Sequence, residues 1–173
     1  AERGVVDWMS VNAATGASAP LFDAAKAEAS LAALPGVNGA DARRAVRSRD
    51  ISFNSTHSSG LLTLGDDLYV LTCGDARAAR VTSSPGEKEE ATISPDGSAV
   101  AFVRGNNLFL VDVMSTRETA VTGDGAAKVR NGRMDWVYEE EIYGRGTTRA
   151  YWWSPDSSRV AFLRIDDTPV SSY

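Results

Sequence analysis

From residue 51 onward, apolar positions come in short bursts separated by polar turn residues, with little of the spacing that marks one face of a helix. Val100 to Val103 is an apolar run, Arg104-Gly105-Asn106-Asn107 interrupts it, and Leu108 to Val113 is the next run. Runs this short, bounded by Gly, Asn and Ser, predict strands. Asn106-Asn107 is expected to turn the chain between them, and Met114 to Glu118 turns it again before a further strand over Thr119 to Thr122. Ahead of Val100 stands Ser94-Pro95-Asp96-Gly97. Pro fixes φ there, Asp bonds back to the backbone and Gly takes the positive φ, so this is a tight turn.

The first fifty residues read differently. Trp8 to Gly16 resembles the last two strands of a sheet unit whose start is missing. Ala24 to Ala33 is Ala-rich, carries Lys26 and Glu28, and is stopped by Pro35-Gly36, which predicts a helix. Ala40 to Arg47 is a second short helical segment, with Arg43, Arg44 and Arg47 on it.

The strand pattern repeats. Thr92 to Arg104 recurs as Trp152 to Arg164, a spacing of 60 residues with eight of 13 positions identical and no gap. A shorter spacing of 40 residues relates Asp67 to Leu71 with Asn107 to Val111, and Val81-Thr82 with Val121-Thr122. The basic unit is therefore about 40 residues, and one copy carries about 20 more between Gly123 and Tyr151. Four short antiparallel strands in about 40 residues make one blade of a β-propeller. The expected class is all-β, a partial propeller with short helical insertions. Its expected divisions are the end of a blade over 1–22, a helical insertion over 23–50, a blade over 51–91, a blade with an insertion over 92–150, and the start of another over 151–173. Blades this few would leave strand edges open, and the chain opens at Ala1 without an initiator Met. It is expected to be a fragment of something larger.

Composition narrows the partners. Lys plus Arg come to 18 and Asp plus Glu to 23, a formal net charge of −5, which argues against nucleic acid or an anionic membrane as the main partner. No apolar run approaches the roughly 20 residues of a membrane span. Cys73 is the sole cysteine, so no intrachain disulfide forms, and it reads as a small buried hydrophobe. No histidine pair or acid-rich loop offers metal-ligand spacing, and no cofactor is expected. His57, the sole histidine, lies in a Ser/Thr-rich turn, and no Gly-x-Ser-x-Gly elbow is present to carry a serine nucleophile.

The extra stretch in the repeat holds the candidate chemistry. It reads Asp135-Trp136-Val137-Tyr138-Glu139-Glu140-Glu141 and returns at Tyr151-Trp152-Trp153-Ser154-Pro155. Neighbouring carboxylates on a helical or irregular turn can converge on one cation, whereas on a strand they would point to opposite faces. An α-ammonium has three N–H donors and suits such a pair. A run of three glutamates is otherwise a solvated face, as is the Arg cluster at 43–47. Trp152-Trp153 reads as blade core, and Tyr138 and Tyr143 as packing or site-lining residues.

These segments, with Arg164-Ile165-Asp166-Asp167-Thr168-Pro169-Val170, resemble the dipeptidyl-peptidase IV family of serine peptidases, bacterial type, in its N-terminal propeller. The resemblance implies that the second and third Glu, here Glu140 and Glu141, capture a peptide's N-terminal ammonium, with Glu139 structural or solvent-facing. It implies that an Arg of another propeller element, for which Arg43 and Arg44 are the candidates, holds the first carbonyl of the substrate. The pair would then act as a ruler for release of X-Pro or X-Ala dipeptides. The Ser-Asp-His triad would lie in a C-terminal α/β-hydrolase domain of the same polypeptide, outside this chain, and a homodimer is possible. A periplasmic or secreted compartment is favoured over the cytoplasm. Two alternatives stand beside this reading: a free-standing binding or scaffold propeller with Ser-Pro-Asp-Gly blades, and the propeller of another peptidase of the prolyl-oligopeptidase clan. The acidic insertion has no place in the former, and the latter lacks the double-Glu anchor.

Overall fold

The structure is a computed structural model that describes residues 6–135, 137–142 and 147–170. It divides into two compact units, residues 1–83 and 84–173.

The first unit opens with a hairpin of β1 (Met9–Val11) and β2 (Ser18–Pro20), paired Met9 to Pro20. Helices α1 (Ala24–Ala32) and α2 (Gly39–Val46) follow. Each starts on a side-chain cap: Asp23 accepts from Lys26 N–H at 3.1 Å and Asn38 from Asp41 N–H at 2.9 Å. Strands β3 (Ser52–Phe53), β4 (Ser59–Leu64), β5 (Asp67–Thr72) and β6 (Arg77–Arg80) then form a four-stranded antiparallel sheet in chain order. The helices pack on each other, with α1 against β6 and α2 against β4. Ala27, Leu31, Ala42 and Val46 bury their apolar faces with Leu62, Tyr69 and Leu71 of the sheet. Ser30 of α1 accepts the Ala78 N–H of edge strand β6 at 2.9 Å, so the helix also satisfies part of that edge. Cys73 is buried in this core, and burial pushes its thiol pKa up.

In the second unit β7 (Glu89–Ile93), β8 (Ala99–Arg104), β9 (Asn107–Asp112) and β10 (Glu118–Ala120) repeat the same meander. Two-stranded pairs follow, β11 (Val129–Asn131) with β14 (Arg164–Asp166) and β12 (Tyr151–Trp153) with β13 (Val160–Phe162). The core gathers Ala101, Val103, Leu108 and Tyr151, with Leu110, Trp153, Val160 and Phe162 against it.

The repeat is visible bond by bond. Leu68 N–H donates to Thr82 Oγ1 at 2.9 Å, and Leu108 N–H donates to Thr122 Oγ1 at 3.0 Å. Each threonine hydroxyl then donates at 3.1 Å to the residue that opens its blade's third strand, Asp67 in one blade and Asn107 in the next. The turns match as well. Asp96 accepts from Ser94 Oγ at 2.6 Å and Ser98 N–H at 2.9 Å, and Asp156 from Ser154 Oγ at 2.5 Å and Ser158 N–H at 3.1 Å. Gly97 and Ser157 hold the left-handed position, at φ 81° and 61°. Asn54-Ser55-Thr56-His57 is a disguised copy: His57 stands at φ 56°, and Asn54 Oδ1 accepts Ser59 N–H at 3.0 Å, as Ser94 Oγ accepts Ala99 N–H at 3.0 Å. The all-β reading as a partial propeller built of four-stranded antiparallel blades therefore holds.

Two local expectations are corrected. The turn between β8 and β9 is made by Gly105 and Asn106, both with positive φ (57° and 61°), and Asn107 already belongs to β9. Trp152-Trp153 is not a core pair. Successive side chains on a strand face opposite ways, so Tyr151 (1% exposed) and Trp153 face the core while Trp152 stays 42% exposed.

Candidate functional site

The insertion leaves the repeat after β11 and returns to it at β12. Its base is a short antiparallel ladder: Arg133 bridges Arg149, Met134 N–H donates to the Thr148 carbonyl at 2.7 Å, and Ala150 N–H to the Gly132 carbonyl at 2.9 Å. Met134 and Ala150 are buried, which fixes the base against the core.

Beyond the base, Tyr138–Ile142 forms a single wide π-helical turn that carries all three glutamates. Asp135 caps it, its Oδ1 accepting Tyr138 N–H at 3.1 Å and its carbonyl Glu139 N–H at 3.1 Å. Arg130, largely buried, donates to Asp135 at 3.3 Å and to Asp167, tying the cap to the chain beyond β14. The neighbouring network is also ionic. Arg164 lies 2.8 Å from Asp124 and 3.1 Å from Asp166. Hydrogen bonds from Arg164 and then Asn131 hold Asp124 below its ordinary carboxylate pKa, while those from Thr168, then Arg164, do the same for Asp166.

On this turn Glu139 is half-buried, while Glu140 and Glu141 are exposed. Side chains on a helical turn fan out by about 100° per residue, against 180° on a strand, so two adjacent carboxylates share one side of the chain. An exposed pair of this kind can accept from one cationic group with several donors. Among the described residues no cluster of His, Cys, Asp or Glu could hold a metal ion. Tyr138, which opens the same turn, is 37% exposed. The expectations for Trp136, Tyr143 and the Gly144-Arg145-Gly146 stretch lie outside the described residues.

Arg43 and Arg44 lie in the first unit, on the last turn of α2, and both are exposed. Arg44 pairs with Asp41 at 3.1 Å, whereas Arg43 has no ion pair among the described residues. Arg47, behind them, is committed to Glu28 at 2.7 Å and to Asp7.

Several residues that hold the insertion carry no local signal. Glu89 pairs with Arg133 at 2.5 Å, and Glu90 binds Thr147 and Thr148 across 57 and 58 positions. The one hint is polar Lys88-Glu89-Glu90 where β7 begins, in place of an alternating strand.

Comparison with known proteins identifies relatives of this fold. A family model described as the dipeptidyl peptidase IV (DPP IV) N-terminal region matches residues 56–173. A probable dipeptidyl-aminopeptidase B of Talaromyces stipitatus is 48% identical over 88 residues, 51% of this chain and 10% of that protein. One from Chaetomium globosum is 37% identical over 137 residues, 77% of this chain and 14% of that protein. The crystal structure of Porphyromonas gingivalis dipeptidyl peptidase 4 superposes with a TM-score of 0.67 at 26% identity, over 99% of this chain and 26% of that one. The chain thus spans only 10% and 14% of the length of these two curated relatives. With residues 56–173 matched by that family model, the chain belongs to the dipeptidyl peptidase IV family, as part of that family's N-terminal region.

Proposed function

We propose that this chain is the substrate-gating and amino-terminus-recognising part of a serine-type dipeptidyl aminopeptidase. Glu140 and Glu141 accept the α-ammonium of a bound peptide, and the length from that anchor to the nucleophile selects the bond after the second residue. The cleavage itself belongs to an α/β-hydrolase domain of the same polypeptide, which supplies the serine, the histidine and the acid.

The observation that carries this reading is the exposed, capped helical turn with Glu140 and Glu141 side by side, inserted in an otherwise regular repeat. Each charge-assisted bond to the ammonium contributes about 1.5–3 kcal/mol, so losing one carboxylate costs roughly ten- to a hundredfold in kcat/KM. The test is Glu140→Gln and Glu141→Gln in the intact protein, assayed with Gly-Pro-p-nitroanilide. Retention of full activity by both variants rejects the assignment.

A further inference from the structure

The base of the loop that carries the acidic pair is held in part by an irregularity in a neighbouring strand. In the pairing of β7 with β8, Glu89 lies opposite Val103 and Thr92 opposite Ala101, so β7 has one residue more than its partner, a β-bulge. Glu90 sits in that bulge at φ 53°, a left-handed conformation that glycine adopts freely and glutamate does not.

What the side chain does there is not local. Glu90 Oε1 accepts the Thr148 N–H at 3.1 Å and the Thr148 hydroxyl at 2.5 Å, and its Oε2 accepts the Thr147 hydroxyl at 3.3 Å. The Glu90 carbonyl accepts from the Tyr151 hydroxyl, which fixes the bulge from below. The preceding residue, Glu89, receives Arg133 at 2.5 Å. Two consecutive carboxylates therefore hold both limbs of the insertion, Arg133 on the way out and Thr147-Thr148 on the way back. The β7–β8 ladder itself needs neither carboxylate. A glutamate kept at positive φ, where glycine would be unstrained, points to work done by its side chain.

We propose that Glu90 is a positioning residue for substrate recognition: it fixes the returning limb of the acidic loop and so sets where Glu140 and Glu141 present their carboxylates. This rests on the reading of those two glutamates as the ammonium site. Glu90 acts through the loop and does not touch the substrate.

Three variants of the intact protein test it. Glu90→Gln keeps an oxygen acceptor for Thr148, Glu90→Ala removes it, and Glu90→Gly removes it while freeing the backbone. Expected are a KM for Gly-Pro-p-nitroanilide raised about tenfold in the Ala and Gly variants with kcat within about twofold, and near-normal constants in the Gln variant. Hydrogen exchange at the Met134 and Thr148 amides should speed up by about tenfold or more in Ala and Gly, and not in Gln. Unchanged exchange at these amides in the Ala and Gly variants overturns the proposal. So does faster exchange with an unchanged KM in a protein where Glu140→Gln does raise KM. If Glu140→Gln and Glu141→Gln both leave KM unaltered, the ammonium reading is what fails, and exchange confined to the loop base still supports the clamp.

Discussion

Replacing Tyr151 by Phe removes one oxygen from the largest fully buried side chain among the described residues. The hydroxyl accepts from Thr92 Oγ1 at 3.0 Å, and its single proton goes to the Ala101 carbonyl at 2.9 Å or to the Glu90 carbonyl. Phe keeps the ring and its apolar burial, so the loss is confined to hydrogen bonding. Two neutral bonds at about 1 kcal/mol each set the expected cost at about 2 kcal/mol, and a carbonyl left without its donor in a buried site raises it towards 3. Thr92 Oγ1 still accepts from Trp153 Nε1 at 3.1 Å, which limits the further loss to the threonine's own proton. For a chain of this length the corresponding fall in Tm is about 4–12 °C. Urea unfolding followed by tryptophan fluorescence reads this as a lower midpoint with an unchanged slope. A cost under about 0.5 kcal/mol at unchanged slope refutes the bonding described here. A Thr92→Ala/Tyr151→Phe cycle should show coupling of about 1 kcal/mol, since the two hydroxyls share a bond. Burial also pushes the Tyr151 phenol pKa up, so the folded state favours the neutral ring. Its contribution is complete below the ordinary tyrosine pKa of about 10 and is lost as pH rises above it, a loss that the Phe variant should lack.

Two further outcomes follow from the turns. Hydrogen bonds from Ser94, then Ser98, hold Asp96 well below its ordinary carboxylate pKa, so its stabilisation is complete at neutral pH and is lost progressively as pH falls below about 4 towards the lower folded-state pKa. Urea midpoints measured from pH 6 to pH 2 should therefore fall less steeply for Asp96→Asn than for the wild type, and parallel curves contradict this. Gly97→Ala places a Cβ at φ 81° and should cost about 1 kcal/mol, whereas at His57, already at φ 56°, exchange for Gly should shift stability by less than about 0.5 kcal/mol because relieved strain and added chain entropy oppose each other. Equal midpoint shifts for the two variants sink the left-handed assignment.

Repetition made the blades legible in the sequence. Strand pairing, the Ser-Pro-Asp-Gly turn and the Val-Thr closure recur at fixed spacing, and each recurs because the same backbone group needs the same partner. Asn54 to His57 escaped that comparison because different residues meet the same needs: an Asn amide replaces a Ser hydroxyl, and a His replaces a Gly at positive φ. Adjacent glutamates in an aromatic-flanked insertion announced a candidate site, and the structure places them on a helical turn. The supports of that turn were not legible. Arg130 reaches Asp167 and Glu90 reaches Thr148 across 37 and 58 positions, and no local periodicity encodes a contact of that range. Trp152 was misjudged for a simpler reason, since a three-residue strand shows too little alternation to tell its two faces apart.

The bridge between Arg133 and Arg149 has a consequence for how such a domain can change. Residues paired across an antiparallel bridge have Cα atoms only about 5 Å apart, so the loop starts and finishes at nearly one point in space. Met134, Asp135, Thr147 and Thr148 hold the base, so the chain between them can lengthen or shorten with little strain passed to the blade beneath. Loop and scaffold are thereby separable, and the insertion can vary while the repeat stays as it is.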